Sequence, residues 1–247
     1  MHEAVAIMGA TGGIGTALAK RLEDNQQKVF LGGRNKEKLN QLMSQLSAPG
    51  ETIEEAADFG NVKAWLDSAQ DSIGPLTGVV NCVGSILLKP AHLTTEKEWL
   101  DTVAVNLTSA MALVRAATTI MMDTGGSIVL VSTAAARTGM VNHEAIAAAK
   151  AGVEGLMRAA AATYAGKGIR VNAVAPGLVQ TPLSEKITAN STARAASEAM
   201  HPLGRLGEPE NVASAIAWLL SSEQDWVTGQ VVGVDGGLSS LRGRPKI

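Results

Sequence analysis

Seven short apolar runs, each followed by a helical or turn pattern, constrain this chain more than any other feature. They lie at Ala4–Met8, Lys28–Leu31, about 51–57, Thr77–Asn81, Ser127–Val131, Arg170–Val174 and Gln230–Val234. Between them, helical periodicity covers about 14–25, 36–46, 62–72, 96–122, 143–165 and 208–220. A strand that is apolar along its whole length must be buried on both faces, so the alternation predicts a mostly parallel seven-stranded sheet with helices on both sides. That is an α/β, doubly wound, Rossmann-type domain. A chain of 247 residues that is 46% hydrophobic and 3% aromatic suits such tight helix–sheet packing. No repeat or linker divides it, so residues 1–247 form one domain. Residues 182–207 are polar, follow the pair Pro176-Gly177, and read as a helical insertion acting as a lid.

Charge and cysteine content exclude other classes. The net charge of −2 gives no nucleic-acid surface. The basic tail Arg242-Gly243-Arg244-Pro245-Lys246 is short and reads as a solvated end. One cysteine, Cys82, permits no internal disulfide and fits a reducing, cytoplasmic compartment. A first strand at about residue 4 leaves no room for a signal peptide, and no apolar run reaches membrane-spanning length. Four scattered histidines and the lone cysteine support no metal site.

Between the first strand and first helix stands Gly9-Ala10-Thr11-Gly12-Gly13-Ile14-Gly15. Glycines there let the backbone turn sharply and approach a pyrophosphate, which the helix N-terminus receives with free N–H groups. After the second strand comes Gly32-Gly33-Arg34-Asn35, with Lys36 and Lys38 and no carboxylate. A guanidinium there suits a ribose 2′-phosphate, so the cofactor reading is NADP (NADPH), with NAD less favoured.

The ordered set of landmarks resembles the short-chain dehydrogenase/reductase family over nearly the whole chain. The set comprises the glycine turn, Asp58-Phe59, Asn81-Cys82-Val83-Gly84, Asn106, Ser132-Thr133, Lys150, Asn172, and Pro176-Gly177 followed by Thr181. The resemblance implies that Gly9, Thr11, Gly13, Ile14 and Gly15 cradle the pyrophosphate and that Asp58 and Phe59 meet the adenine. Asn81, Val83 and Gly84 then line the cofactor floor, and Pro176, Gly177, Val179 and Thr181 reach the nicotinamide. It implies that Lys150 binds the nicotinamide ribose and that Asn106 anchors a water on the proton path. Asp58 also reads as a helix N-cap, and Thr181 as a turn residue. The resemblance further implies a homo-oligomer, a dimer or tetramer, for which Ala110, Ala112, Ala116, Ala159 and Ala160 would permit close helix contact, although Ala-rich helices also pack internally.

One position departs from that pattern. The family carries tyrosine four residues before the lysine, whereas this chain has Ile146 before Lys150, and Tyr164, the only tyrosine, cannot replace it. Isoleucine has no proton to give. Thr133, thirteen residues before 146, keeps a hydroxyl for the substrate oxygen, with Ser132 as the alternative by one register step. His143 shares a helical face with positions 146 and 150 and is the candidate substitute acid, although it also reads as a solvent-facing or capping residue in the helix's first turn. Glu144 fits the helix N-terminus. Two function classes follow. One is an NADP-dependent oxidoreductase acting on a small carbonyl or alcohol with an altered proton relay. The other is a catalytically silent NADP-binding homologue serving as a structural or regulatory subunit. Reduction of an activated alkene is a third chemistry that needs no tyrosine. Ser85, Ile86, Met140, Val141 and Leu183 give the substrate pocket an apolar lining.

Overall fold

Every residue of the central strands is buried: all five of Ala4–Met8 and all four of Gly78–Asn81. That requires helices above and below the sheet, and the structure, a computed structural model describing residues 3–242, supplies them. The elements run β1 (Ala4–Met8), α1 (Gly13–Asp24), β2 (Lys28–Gly33), α2 (Lys36–Leu46), β3 (Gly50–Thr52), α3 (Phe59–Ile73) and β4 (Gly78–Asn81). They continue with α4 (Glu96–Val103), α5 (Ser109–Ile120), β5 (Gly126–Val131), α6 (Glu144–Tyr164) and β6 (Ile169–Pro176). Last come α7 (Glu185–Thr188), α8 (Ser191–Met200), α9 (Pro209–Leu220) and β7 (Val231–Val234). All seven strands pair in parallel in the order β3-β2-β1-β4-β5-β6-β7. One apolar core packs α3, α5 and α6 on one face, and a second packs α1, α2 and α9 on the other. The order reverses direction between β1 and β4, so the loops after both strands open at the same edge, which is where such sheets bind ligands.

Three features differ from the sequence reading, and the alanines take one of the two packings it allowed. The third strand is only Gly50–Thr52 rather than 51–57, because it is an edge strand with three residues of register against β2. The run 96–122 is not one regular helix. A π-helical segment, Ala104–Thr108, joins α4 to α5, and the Ser109 N–H reaches back to the Ala104 carbonyl. Side chains take up carbonyls that the wider turn disturbs: Asn106 Nδ2 donates to Thr102 O at 2.9 Å and Ser109 Oγ donates to Val105 O at 2.6 Å. Ala110, Ala112 and Ala116 are spent inside the chain, buried against α3 and the sheet, and Ala160 is buried as well. Of the five small residues only Ala159 is exposed. Finally, Glu96–Ile120 is long and apolar enough by length and composition to cross a membrane, contrary to the sequence expectation. Half of its apolar window is buried inside the protein. The polar segment after β6 does form helices: a 3₁₀ turn at Pro182–Ser184, then α7 and α8. Of the basic tail, only Arg242 lies within the described residues.

Candidate functional site

The glycine turn is built by close approach. Gly9 has φ of +86° and hydrogen-bonds the Gly32 carbonyl, tying β1 to the end of β2. A Cβ on Gly15 would lie 2.3 Å from the Gly9 carbonyl oxygen, so only glycine fits where α1 crosses the turn. A Cβ on Gly13 would strike the Thr181 methyl at 2.7 Å, and one on Gly33 would strike Thr11 Cγ2 at 2.8 Å. Thus Thr181 lies over the glycine turn, and Thr11 bridges it to β2 beside Arg34. Helix α1 begins with no side-chain cap and no acidic residue in its first turn. Its leading N–H groups, from Gly13, Ile14 and Gly15, are therefore presented to an anion as a dinucleotide pyrophosphate requires. Arg34 is exposed and has no ion-pair partner among the described residues. Asp58 caps α3, with one carboxylate oxygen accepting from the Asn61 N–H at 2.7 Å. The Phe59 ring packs on the core with the Arg115 guanidinium 5.6 Å from its centroid.

At the end of β4, Asn81 accepts from the Val83 N–H and donates to Ser109 Oγ, which fixes the turn into Val83 and Gly84. Gly84 faces the two polar groups of the interior: a Cβ there would lie 3.2 Å from Asn106 Oδ1 and 3.6 Å from Lys150 Nζ. Asn106 is buried, donates to Ser85 Oγ at 2.9 Å and accepts from the Ser85 N–H at 3.2 Å. Lys150 is 6% exposed and donates from Nζ to the Val131 carbonyl at 2.8 Å. Burial lowers its pKa to about 8, opposed by the nearby Cys82. The Cys82 thiol is pushed up to about 12 by the same burial and is neutral at physiological pH. Asn172 serves the fold instead, bonding Val227 O and the Gln230 N–H and so docking β7.

Thr133, His143 and Ile146 line one cavity of about 150 Å³, whose other walls include Ile86, Leu88, Met140, Ile187, Met200 and Leu238. No Lys, Arg, Asp or Glu lines it among the described residues. Ser132, the register alternative to Thr133, points away: its buried hydroxyl donates to Glu154 Oε1 at 3.0 Å. The Thr133 oxygen accepts from the Ala135 N–H at 3.3 Å and keeps its own proton for a partner in the cavity. His143 occupies the N-cap position of α6, directly before Glu144, and its side chain makes no capping hydrogen bond. Its Nδ1 lies 2.7 Å from the Val141 carbonyl, which can only accept, so Nδ1 carries the hydrogen and Nε2 is left as the unengaged nitrogen. Ile146 is buried on the same wall. Glu144 accepts from the Ala91 N–H at 3.4 Å. Val141 and Leu183, read as pocket residues, are exposed and outside this lining, whereas Ser85 turns toward Asn106.

The sequence reading did not single out His201. It is buried at the end of α8 and lines both this cavity and a larger one of about 480 Å³ on the side of β7. Its Nδ1–H donates to Ser197 O at 2.6 Å and its Nε2 accepts from the Leu178 N–H at 3.2 Å. Both nitrogens of the neutral ring are thereby used, joining α8 to the segment after β6. Gly177 makes room for it, since a Cβ there would lie 2.5 Å from Nε2. Val179 is buried and bridges to Gly207. Among the described residues no group of three or more His, Cys, Asp or Glu could hold a metal ion.

A parallel sheet with this strand order, a glycine turn under an uncapped helix and a pocket beyond the strand ends define a nicotinamide-dinucleotide oxidoreductase fold. Residues 9–239 match the family model described as enoyl-(acyl carrier protein) reductase. A short-chain dehydrogenase/reductase of Botryotinia fuckeliana is 35% identical, covering 96% of both chains. The 3-oxoacyl-[acyl-carrier-protein] reductase of Thermotoga maritima is 36% identical over 94% of this chain and 96% of its own. An actinorhodin polyketide ketoreductase solved with NADPH superposes with a TM-score of 0.92 at 28% identity, over 97% of this chain and 98% of its own. The chain belongs to the short-chain dehydrogenase/reductase family.

Proposed function

We propose that this protein is an NADP-dependent oxidoreductase interconverting a small, neutral, apolar ketone and its alcohol by a proton route that uses no tyrosine. The observation that carries this reading is the shared cavity: the Thr133 hydroxyl and the His143 imidazole face a mainly apolar space, in which the other polar groups, Ser197 and His201, are bonded to backbone, with Ile146 where the family places its acid. No lysine or arginine lines the cavity to pair with a carboxylate or phosphate, and most of its wall is apolar, which favours a neutral substrate. NADP is favoured by Arg34, unpaired beside Thr11 at the end of β2, and by the absence of a carboxylate in Gly32-Gly33-Arg34-Asn35. The NADPH complex of the related ketoreductase agrees with that choice.

Bound reduced nicotinamide supplies hydride to the carbonyl carbon. In the residue roles we assign, Lys150 donates to the nicotinamide ribose from its buried position, and Asp58, Asn81, Val83 and Gly84 line the groove. Pro176, Gly177, Val179 and Thr181 close it above the glycine turn. Thr133 donates its hydroxyl to the substrate oxygen. The imidazolium of His143, held through Nδ1 by Val141, delivers the proton from Nε2, directly or through a water. Asn106 and Lys150 support a water on the interior side.

Steady-state NADPH oxidation on a panel of ketones and one enone tests this for the wild type, His143→Ala, Ile146→Tyr and the double variant. Low wild-type turnover is expected, reduced further by His143→Ala. Ile146→Tyr should raise it by ~10²–10⁴-fold, the range of a positioned general acid, and make His143 nearly dispensable. Fast wild-type turnover indifferent to His143→Ala sinks the imidazole route. Binding of NADPH with no turnover in any of the four variants assigns the protein to the silent, cofactor-binding class instead.

A further inference from the structure

Thr133 stands on a short segment, residues 132–137, that leaves β5 and crosses α6 before the chain turns toward His143. Both ends of this segment converge on one oxygen atom. Ser132 Oγ donates to Glu154 Oε1 at 3.0 Å, and Arg137 Nε lies 3.4 Å from the same oxygen. The other oxygen, Oε2, faces Arg158 at 3.6 Å. Glu154 is 6% exposed, one helical turn beyond Lys150 on α6. Between the two anchors the chain makes a 3₁₀ turn at Ala134–Ala136, capped by Thr133 itself.

The backbone at Thr133 is extended, with φ of −157° and ψ of 153°, so adjacent side chains point to opposite sides. Ser132 turns into α6 and Thr133 into the cavity. Any slide or rotation of Ser132 on Glu154 therefore displaces the Thr133 hydroxyl directly. The residue before them, Val131, gives its carbonyl to Lys150 Nζ at 2.8 Å. Residues 131–133 are thus held to α6 by an ammonium and, one turn further on, by a carboxylate, with the Lys150 carbonyl a longer second acceptor for Ser132 Oγ at 3.4 Å. A buried carboxylate is a poor source of stability, since apolar residues of similar volume serve a core at least as well. What the carboxylate adds here is direction: its oxygen fixes the hydrogen bond from Ser132 and the guanidinium of Arg137 in one place.

We propose that Glu154 is a positioning residue, stapling both ends of segment 132–137 to α6 and thereby setting the Thr133 hydroxyl in the substrate cavity. The proposal rests on the reading that Thr133 meets the substrate oxygen.

The test is a double-mutant cycle on the NADPH-loaded protein, with selectively methyl-labelled threonine for NMR. Glu154→Gln removes the charge but keeps the shape. Arg137→Ala removes one anchor at a partly exposed side chain and serves if the first variant fails to fold. Each is made in the wild type and in Thr133→Ala. Both should lower kcat for the ketone by about tenfold to a hundredfold, the cost of a misplaced contact group, with the NADPH dissociation constant unchanged. In the Thr133→Ala background the same changes should cost less than about twofold, because the group they position is gone. The Thr133 methyl signal, single in the wild type, should split or broaden in both variants. Equal losses in the two backgrounds, or an unaltered Thr133 methyl signal, overturn the proposal and leave the Thr133 reading standing. If Thr133→Ala by itself leaves kcat unchanged, the Thr133 reading fails and this proposal falls with it. The methyl signal decides the matter even where no ketone is turned over.

Discussion

Lys150 places an ammonium almost entirely out of water, and its charge state should be readable in both stability and cofactor binding. Burial lowers its pKa from 10.5 to about 8. A group whose folded pKa is depressed in this way binds fewer protons folded than unfolded between those two values, so stability rises with pH across that window. At ~1.36 kcal/mol per pKa unit, the full span is worth on the order of 3 kcal/mol, of which ~1 kcal/mol appears between pH 8 and 9. The narrower interval is the informative one. Cys82, raised from 9.0 to about 12, has the opposite sign and loses stability as pH climbs through that upper range, cancelling the lysine effect. Urea unfolding of the cofactor-free protein at pH 7, 8 and 9 should therefore show the wild type gaining ~1 kcal/mol relative to Lys150→Met over the last step. Lys150→Met keeps the length of the side chain and removes the titration. The ammonium donates to ribose hydroxyls much more strongly than the neutral amine, so the apparent NADPH dissociation constant should rise by up to about tenfold between pH 7 and 9 in the wild type. It should stay level, and weaker throughout, in Lys150→Met. Parallel stability curves for the two proteins would refute the burial argument. A pH-independent NADPH affinity in the wild type, with the stability effect present, would refute the ribose contact alone.

Three further outcomes are expected. Wild-type protein should bind NADPH at least tenfold tighter than NADH, about 1.4 kcal/mol, and Arg34→Asp should reverse the order; equal calorimetric affinities in the wild type would remove the basis for NADP. Gly15→Ala forces a methyl against the Gly9 carbonyl at 2.3 Å, so the turn must shift. Calorimetry should find NADPH binding weakened by more than about tenfold with ~1–3 kcal/mol lost in urea unfolding, and a variant that binds normally would mean that the turn is not the cradle. His201→Ala strips partners from the Ser197 carbonyl and the Leu178 N–H inside the protein. Unfolding should register a loss of ~2–4 kcal/mol, whereas less than about 0.5 kcal/mol would show that water replaces the ring freely.

The legible parts of this protein are those written in local pattern, and the rest depend on chain segments far apart in sequence. The sheet could be read because its central strands are apolar at every position, and that follows from burial on both faces. The third strand was misjudged because an edge strand with three paired residues leaves almost no pattern. The interruption of α4 and α5 was invisible for a different reason. Helical periodicity survives one wide turn, and the cause lies in hydrogen bonds from Asn106 and Ser109 that no propensity encodes. At the site, Thr133, His143 and Ile146 could be associated by counting, since 143 and 146 lie near one another at the start of a helix and 133 follows a strand end. Counting could not decide between Ser132 and Thr133. Extended backbone turns consecutive side chains to opposite sides, and which side is the cavity depends on where α6 lies. Glu154 shows the same limit more sharply. On an Ala-rich helix with Arg158 one turn away it reads as a solvated ion pair, yet Ser132 and Arg137, 22 and 17 residues earlier in the chain, meet it inside the protein. His201 likewise sits in a polar stretch that reads as surface, and only the closeness of Gly177 to its ring reveals a buried joint. A side chain whose role is to hold another in place is specified by its partners, and those partners become neighbours only when the sheet has formed.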